Sequence, residues 1–353
     1  FTAAAVVLAA QRGRLSLDDD IRRWIPEFPT YERPITVRHL VHHTSGIRDD
    51  AQLRAVGNLP DLGPEQVVDL LARQQALNFP PGERHLYSNS GYVLLAVIVE
   101  RATGRPLRDL VKEELFAPLG MDATMFKRSN AIVPLGATGY WPVEGAFIVR
   151  SRADAENIGA GGAFSSVRDF SRWIAMLAED GPNDDLRQAM LEEGALASGE
   201  TLDYAFGLST GTHRGVPVIY HGGAENGYRA GFILYPTEDL AVVAFCNLAT
   251  VDAQGRVAQV GEVLLEHRMG ARDTTSSPPY NPMNPPPPGE PLALTATQLG
   301  ELAGRYYAPE LDVVFVVEVE GDGLRIGPDG WMRPMATTSN PDVFTDGRGW
   351  ALV

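Results

Sequence analysis

The sequence is poor in cysteine and lysine and has no long apolar run, and each shortage narrows what the chain can do. The single cysteine, Cys246, lies in the apolar stretch AVVAFCNL. It cannot close an intrachain disulfide and reads as a buried small apolar residue rather than a reactive thiol. Only Lys112 and Lys127 are lysines among 30 basic residues, so chemistry that needs a lysine has two candidates in this numbering. No apolar stretch approaches the ~18 residues that span a bilayer. FTAAAVVLAA at the start is ten residues long, and its positive charge, QRGR, follows the apolar segment instead of preceding it as in a secretory signal. The segment therefore reads as a core helix. The chain opens on Phe1 rather than methionine, so an upstream segment is expected. The 45 acidic residues against 30 basic ones give a net charge of −15, which disfavours wrapping a polyanion, and nucleic acid is not an expected partner.

What is present is enough apolar residue, 44% of 353, for one large core of ~250 residues and a satellite module. Residues 1–12 read as a buried helix closed by Gly13. LSLDDDIRRWIPEFP reads as a turn into a short helix, and ITVRHLVHHTSGI as a capped helix ending at Gly46. Further helices are expected from Gly63 to about Ala76, over SNSGYVLLAVIVERATG with Gly104 as its stop, and over 106–118. The region 120–160 reads as irregular. GAGGAFSSVRDFSRWIAMLAE gives a glycine-rich turn, Ser165 or Ser166 as N-cap, and a helix with Phe170, Trp173, Ile174 and Leu177 on one face. YAFGLSTGTH, GVPVIYHGG, YRAGFILYP and LAVVAFCNL then alternate like strands of an antiparallel meander, and the helix VAQVGEVLLEHRMG follows. Helices first, antiparallel strands later and a final helix imply an α/β fold with helices packed on a sheet. TTSSPPYNPMNPPPPGEP marks a stiff linker over 273–292. It separates a main domain, 1–272, from a small antiparallel β module, 293–353, built on Gly-Asp-Gly and Asp-Gly turns.

Two short motifs carry the chemistry. Tyr87-Ser88-Asn89 stands at the mouth of a helix, and His221-Gly222-Gly223 ends the strand VPVIY. Either alone is ordinary turn chemistry. Together, in this order, they resemble the serine β-lactamase and penicillin-binding-protein superfamily with its esterase and D-stereospecific peptidase relatives. That superfamily uses S-x-x-K at the start of a buried helix, Y-x-N or S-x-N on a loop, and K-T-G or H-x-G on a strand. FTAAAVVLAAQRGRLSLDD, ITVRHLVHHTSGI, LFAPLGMDATMF and GAGGAFSSVRDFSRW extend the likeness over residues 1–250. It implies a β-lactamase/transpeptidase-like fold, an antiparallel sheet with flanking helices and a helical subdomain. It also likens the C-terminal β module to the barrel-like domains of some D-stereospecific peptidases.

The resemblance places the S-x-x-K serine and lysine a few residues upstream of Phe1, so residues 1–353 alone are expected to be inactive. It makes Tyr87 the general base for acylation, provided that the lysine and His221 bring its pKa down from ~10. Asn89 would hydrogen-bond the substrate amide or the lysine. His221 would replace the strand lysine with a charge that depends on pH near neutrality. Gly222 and Gly223 would let a substrate lie along the strand edge, and the Ala224 N–H would form half of an oxyanion hole. The function so implied is a serine hydrolase without metal or cofactor, forming an acyl-enzyme on an ester, a β-lactam or a D-amino-acid peptide. Its partner would be that small-molecule or peptide substrate. A homo-oligomer is compatible with this reading, and a periplasmic or secreted site is favoured by the relatives alone. A binding or sensor protein that keeps the cleft without turnover is the alternative.

Three decoys compete. Thr124-Met125-Phe126-Lys127 has S-x-x-K spacing but sits in a loop. Gly207-Leu208-Ser209-Thr210-Gly211 matches the G-x-S-x-G elbow, yet strands flank it on both sides. His39, His42 and His43 share a helix face without accompanying carboxylate or cysteine ligands, which points to capping and packing. The GAGGAF turn reads equally as the edge of the cleft or as a structural turn.

Overall fold

A computed structural model describes residues 1–127, 131–149, 158–178, 184–271, 295–321, 323–328, 331–337, 344–345 and 351–352. The proline-rich segment expected at 273–292 lies outside them.

Helix α1 (Thr2–Gln11) buries Ala3 to Val7 and Ala9, which is why its apolar residues fall on every face. Arg12 caps it and Gly13 follows at φ 66, the left-handed turn that glycine adopts freely. Helix α2 (Val37–Val41) begins with a reciprocal capping box between Thr36 and His39. It stops at His42, earlier than expected, because His43 turns out at φ 55 and the next carbonyls are taken by another loop: Leu86 N–H donates to His43, Gly82 N–H to Thr44 and Asn78 N–H to Gly46. Helix α3 (Asp50–Gly57) is capped by Asp49 and closed by Asn58 in the left-handed region. Helix α4 (Pro64–Ala72) starts on its proline. Helix α5 (Asn89–Thr103) ends on left-handed Gly104 and is buried along Val93 to Val99, packed against α1. Helix α6 (Leu107–Val111) continues into a π-helical turn, Lys112–Phe116.

The stretch 120–160, expected to be irregular, contains three short strands, β1 (Met125–Phe126), β2 (Tyr140–Val143) and β3 (Ala146–Val149), and the glycine-rich turn after it contributes β4 (Ala163–Phe164); β1 pairs with β4 and β2 with β3. Helix α7 (Val167–Leu177) is capped by Ser166, whose hydroxyl accepts the Asp169 N–H, and α8 (Asp184–Met190) follows. The central sheet is an antiparallel meander in sequence order: β5 (Ser209–His213), β6 (Val216–Glu225), β7 (Tyr228–Tyr235) and β8 (Leu240–Cys246). Cys246, expected to be buried, ends β8 half-buried. Alternation along the strands divides the core. Ile219, Phe232 and Leu234 join α1, α5 and α7 in the main cluster, while Val218, Ile233 and Tyr235 pack on Val257 and Leu265 of helix α9 (Ala253–Leu265).

The C-terminal module consists of helix α10 (Ala296–Leu302) and an antiparallel meander of β9 (Gly304–Ala308), β10 (Val313–Glu320), β11 (Gly323–Pro328), β12 (Arg333–Thr337), β13 (Phe344–Thr345) and β14 (Ala351–Leu352). Leu299, Leu311, Phe315 and Leu324 form a core with Leu70 of α4, and Leu53 and Val56 of α3 pack against it. Arg48 donates to Glu310 across this junction at 2.6 Å. Among the described residues no helix is long and apolar enough to cross a membrane.

Candidate functional site

Tyr87 and His221 come from opposite halves of the main domain and meet with their ring centroids 6.1 Å apart. Tyr87 is delivered by the loop that enters α5. The Ser88 N–H donates to His43 Nδ1 at 3.2 Å and the Asn89 N–H to Asp49 Oδ2 at 2.7 Å, so groups from another loop satisfy the first amides of the helix. The Ser88 hydroxyl is left buried without a partner among the described residues. The Asn89 side chain is half-buried at the first position of α5.

His221 stands where β6 loses its neighbour on one side. Pairing with β5 ends at Tyr220, whereas pairing with β7 continues to Glu225, so residues 221–225 keep an open strand edge. Gly222, Gly223 and Ala224 are exposed there. A Cβ added at Gly222 would meet nothing closer than 3.8 Å and one at Gly223 nothing closer than 3.5 Å. Sheet packing therefore does not require glycine at either position; what glycine provides is a bare edge that a ligand backbone can approach.

A hydrogen-bonded chain links the two motifs behind the cleft. Since the Ser88 N–H donates to His43 Nδ1, that nitrogen carries no proton, and neutral His43 is protonated on Nε2. Nε2–H then donates to the Tyr204 hydroxyl at 3.0 Å, and the Tyr204 O–H is directed to His221 Nε2 at 3.4 Å. His221 Nδ1 carries the remaining proton and donates to the Gly222 carbonyl at 2.6 Å. One tautomer assignment satisfies every step. The rings are in contact as well: His43 lies 4.3 Å from Tyr87 and 5.0 Å from Tyr92, on which it stacks, and His85 lies 6.0 Å from His43.

Burial decides the charge of this cluster. It pushes His43 well below its ordinary value, with His85 and His221 adding to the effect. His85 is lowered by burial too. His221 is lowered by burial, against which its bond to the Gly222 carbonyl works. The charge expected on His221 near neutrality is thus withdrawn, and the ring is a neutral hydrogen-bonding group. Tyr87 is pushed up to about 12, by burial and then by the Asp49 carboxylate. Neither shift makes Tyr87 a base, so the lowering expected for it needs a cation beyond these neighbours.

The start of α1 opens onto the same place. Phe1 packs edge-on against Phe116 and Trp173 at 5.0 Å each. The Thr2 hydroxyl donates to the Gly159 carbonyl at 2.7 Å. Gly159, at φ 104, lies so close to the Tyr92 carbonyl that a Cβ would fall 2.3 Å from its oxygen. The GAGGAF turn is thereby fixed between α1 and α5, and its Gly162 N–H reaches Glu225 at the end of β6. It lies beside the open edge, as one of its two readings anticipated.

The decoys have structural duties. Thr124 is buried and hydrogen-bonded to Asp169 at 2.9 Å, and Lys127 donates its backbone N–H to Gly162. Ser209 lies on β5 opposite Tyr220, with no strand–turn–helix elbow. His39 completes the capping box and His42 packs edge-on against Phe206 at 5.0 Å. His43 is the exception: it was grouped with its neighbours as a packing residue, yet it connects both motifs. Tyr204 and Asp49 were not singled out at all, since no local pattern relates them to Tyr87.

A family model described as Beta-lactamase matches residues 1–283. Penicillin-binding protein 4* of Bacillus subtilis (strain 168) is 32% identical over 264 residues, 67% of this chain and 56% of its own length. The D-aminopeptidase of Brucella anthropi is 30% identical over 287 residues, 78% of this chain and 52% of its own. The chain thus spans about half the length of the curated relatives it matches. Among solved structures, the octameric penicillin-binding protein homologue from Pyrococcus abyssi has a TM-score of 0.64 at 23% identity, covering 97% of this chain and 78% of that one. The D-stereospecific amidohydrolase from Streptomyces sp. has a TM-score of 0.59 at 24% identity, covering 74% and 83%. These likenesses establish the fold, a sheet with flanking helices and an antiparallel C-terminal module.

Proposed function

The chain belongs to the β-lactamase family, and from that premise we propose that its cleft forms an acyl-enzyme, using a serine that precedes Phe1 and a lysine three residues after that serine. The observation that carries the reading is the Tyr87 ring 6.1 Å from His221 beside the open edge at 222–224, with the start of α1 joined to them through Phe1 on Phe170 and Phe170 on Phe232, the cross-strand partner of His221. The serine hydroxyl attacks the substrate carbonyl and gives its proton to the Tyr87 oxygen. Tyr87 can accept it only with the lysine ammonium alongside, because its present neighbours hold it at about 12. The phenol then returns a proton to the leaving group. The Ala224 N–H donates to the developing oxyanion, a contact worth ~3 kcal/mol of transition-state stabilisation. Asn89 bonds the substrate amide or the lysine. His221, neutral, fixes the edge through the Gly222 carbonyl instead of supplying charge.

The substrate class is an ester, a β-lactam or a D-amino-acid peptide. The relatives named D-aminopeptidase and the presence of a C-terminal β module favour the peptide. A polypeptide of residues 1–353 lacks the nucleophile and is inactive on this reading.

The test uses protein extended to include the upstream segment. It should be acylated by a fluorescent penicillin or a fluorophosphonate, seen as a mass increment on the serine, and should hydrolyse p-nitrophenyl esters or D-alanine p-nitroanilide. A folded, extended protein that neither takes up label nor turns over any of these overturns the reading in favour of a binding protein.

A further inference from the structure

Glu225 is the last residue of β6 and has no role in the chemistry above. Strand alternation puts His221, Gly223 and Glu225 on one face, the face that packs toward α1 and α7 through Ile219 and Phe232. At ~3.3 Å per residue, Glu225 sits ~13 Å beyond His221 along the strand. The only side chain position between them on that face is glycine. Glu225 directly follows Ala224, the oxyanion donor of the proposed mechanism.

The surroundings of this carboxylate suit a cationic group. Among the described residues its one hydrogen bond is from the Gly162 N–H to Oε2, at 3.2 Å. Among the described residues it has no ion-pair partner. Arg229, on the neighbouring strand, pairs with Ala224 and so projects from the opposite face, where it lies 5.9 Å over the Trp141 ring and donates to the carbonyls of Asn226 and Tyr228. Burial raises the Glu225 carboxyl, and the Gly162 N–H works against that rise. On the same face stands Tyr228, the cross-strand partner of Glu225, with the Phe164 ring edge-on to it at 6.2 Å. A carboxylate beside two aromatic rings suits an ammonium group through charge and cation–π attraction together. Space is kept by glycine: a Cβ at Gly161 would lie 2.5 Å from Glu225 Oε2 and drive the carboxylate from its place.

We propose that Glu225 is the ammonium-binding residue of the cleft and selects acyl groups that carry a free amine next to the scissile carbonyl. The inference rests on the acyl-enzyme reading and narrows it to substrates with an unblocked amino terminus. An acyl group lying along the bare edge with its carbonyl at the Ala224 N–H holds its α-amine within one residue of that point, on the Glu225 side. Acetylation of the amine removes the charge and adds bulk between the aromatic rings.

The test compares D-alanine p-nitroanilide with its N-acetyl derivative in the extended protein. The ratio of kcat/KM, free amine over acetylated, should exceed ten in the wild type and fall at least tenfold in Glu225→Gln, mostly through KM. Glu225→Asp should restore part of it. Glutamine keeps the size of the side chain and an acceptor for the Gly162 N–H, so folding is preserved. Gly161→Ala, which displaces the carboxylate without removing it, should lower the ratio in the same direction. An unchanged ratio in Glu225→Gln, or equal losses on both substrates, overturns the assignment. If the wild type turns over neither substrate, the hydrolase reading fails first and binding decides the rest: D-alanine amide, titrated calorimetrically, must bind the wild type at least tenfold tighter than Glu225→Gln, and equal binding overturns the role of Glu225.

Discussion

Replacing His43 by asparagine should make the protein less sensitive to mild acid. His43 is 2% exposed and its imidazole is held well below 6.5 by burial, with the neighbouring His85 and His221 opposing a charge there. In the unfolded chain the same imidazole titrates near 6.5. Below that pH the unfolded state takes up a proton that the folded state refuses, so stability falls as pH falls. For a site that stays neutral when folded, the loss between pH 7.5 and 5.5 amounts to about 1.4 kcal/mol. Asparagine does not titrate, and it tolerates the left-handed backbone, φ 55, that position 43 adopts. Urea unfolding of both proteins at the two pH values isolates the effect, because the other lowered histidines, His39, His42, His85 and His221, remain in both. Carboxylates held low by arginines, such as Asp18 beside Arg38 and Glu27 beside Arg101, also lose stability as pH falls, but lower in the range and equally in both. The variant will start less stable, since it loses the contact to Tyr204. The decisive quantity is the change with pH. A wild type and variant that lose the same free energy between pH 7.5 and 5.5 would refute the claim that His43 is folded in its neutral form.

Three further outcomes follow from the same contacts. Tyr87→Phe in the extended protein should reduce acylation by about 10²–10⁴, read from the rate of fluorophosphonate labelling, with thermal unfolding little changed. Tyr204→Phe removes the acceptor of His43 Nε2–H and leaves a buried donor unpaired, which should cost ~1–3 kcal/mol and lower Tm by several degrees. Glu310→Ala breaks the 2.6 Å bond from Arg48 and the 2.7 Å bond from the Gln75 N–H, and should cost ~1–3 kcal/mol in urea unfolding, more than an exposed ion pair is worth.

What could be read from the sequence and what could not divide along physical lines. Caps and periodicities are local, so the capped start of α2, a serine cap on α7 at Ser165 or Ser166, the Gly104 stop and the four-strand meander were all legible. Helix α3 was not. Its apolar residues Leu53 and Val56 are covered by Leu311 and Phe315 of a module some 250 residues later, and DAQLRAVG alone does not announce such a partner. Helix α2 looked longer than it is for a similar reason: the carbonyls from His43 onward are claimed by the 78–86 loop rather than by the helix. In the site, Tyr87 and His221 were legible because each stands in a short motif. The residues that join them were not, since His43 and Tyr204 are 161 positions apart and are related only by the fold. Burial also overrode an expectation that residue type had suggested, by leaving His221 neutral where a charge was looked for.

The two sides of the cleft are supported by different parts of the chain. The strand side, His221 to Glu225, hangs on pairing with β7 and on the GAGGAF turn. The Tyr87 side hangs on Asp49, which accepts the Asn89 N–H at 2.7 Å and the Ala51 N–H at 3.1 Å and also supplies the charge that raises Tyr87. Asp49 directly follows Arg48, the residue held by Glu310 of the C-terminal module. Asp50, the next residue, is locked to Ser90 by two hydrogen bonds of 2.6 and 2.9 Å. The module therefore grips the same short segment, 48–50, that fixes the entry to α5. A disturbance there has one residue in which to dissipate before it reaches the carboxylate next to Tyr87, whereas it reaches the strand edge only through the longer path Ser88, His43, Tyr204 and His221. Loosening the module should consequently be felt in proton transfer at Tyr87 before it is felt in the hold of Ala224 or Glu225 on an acyl group.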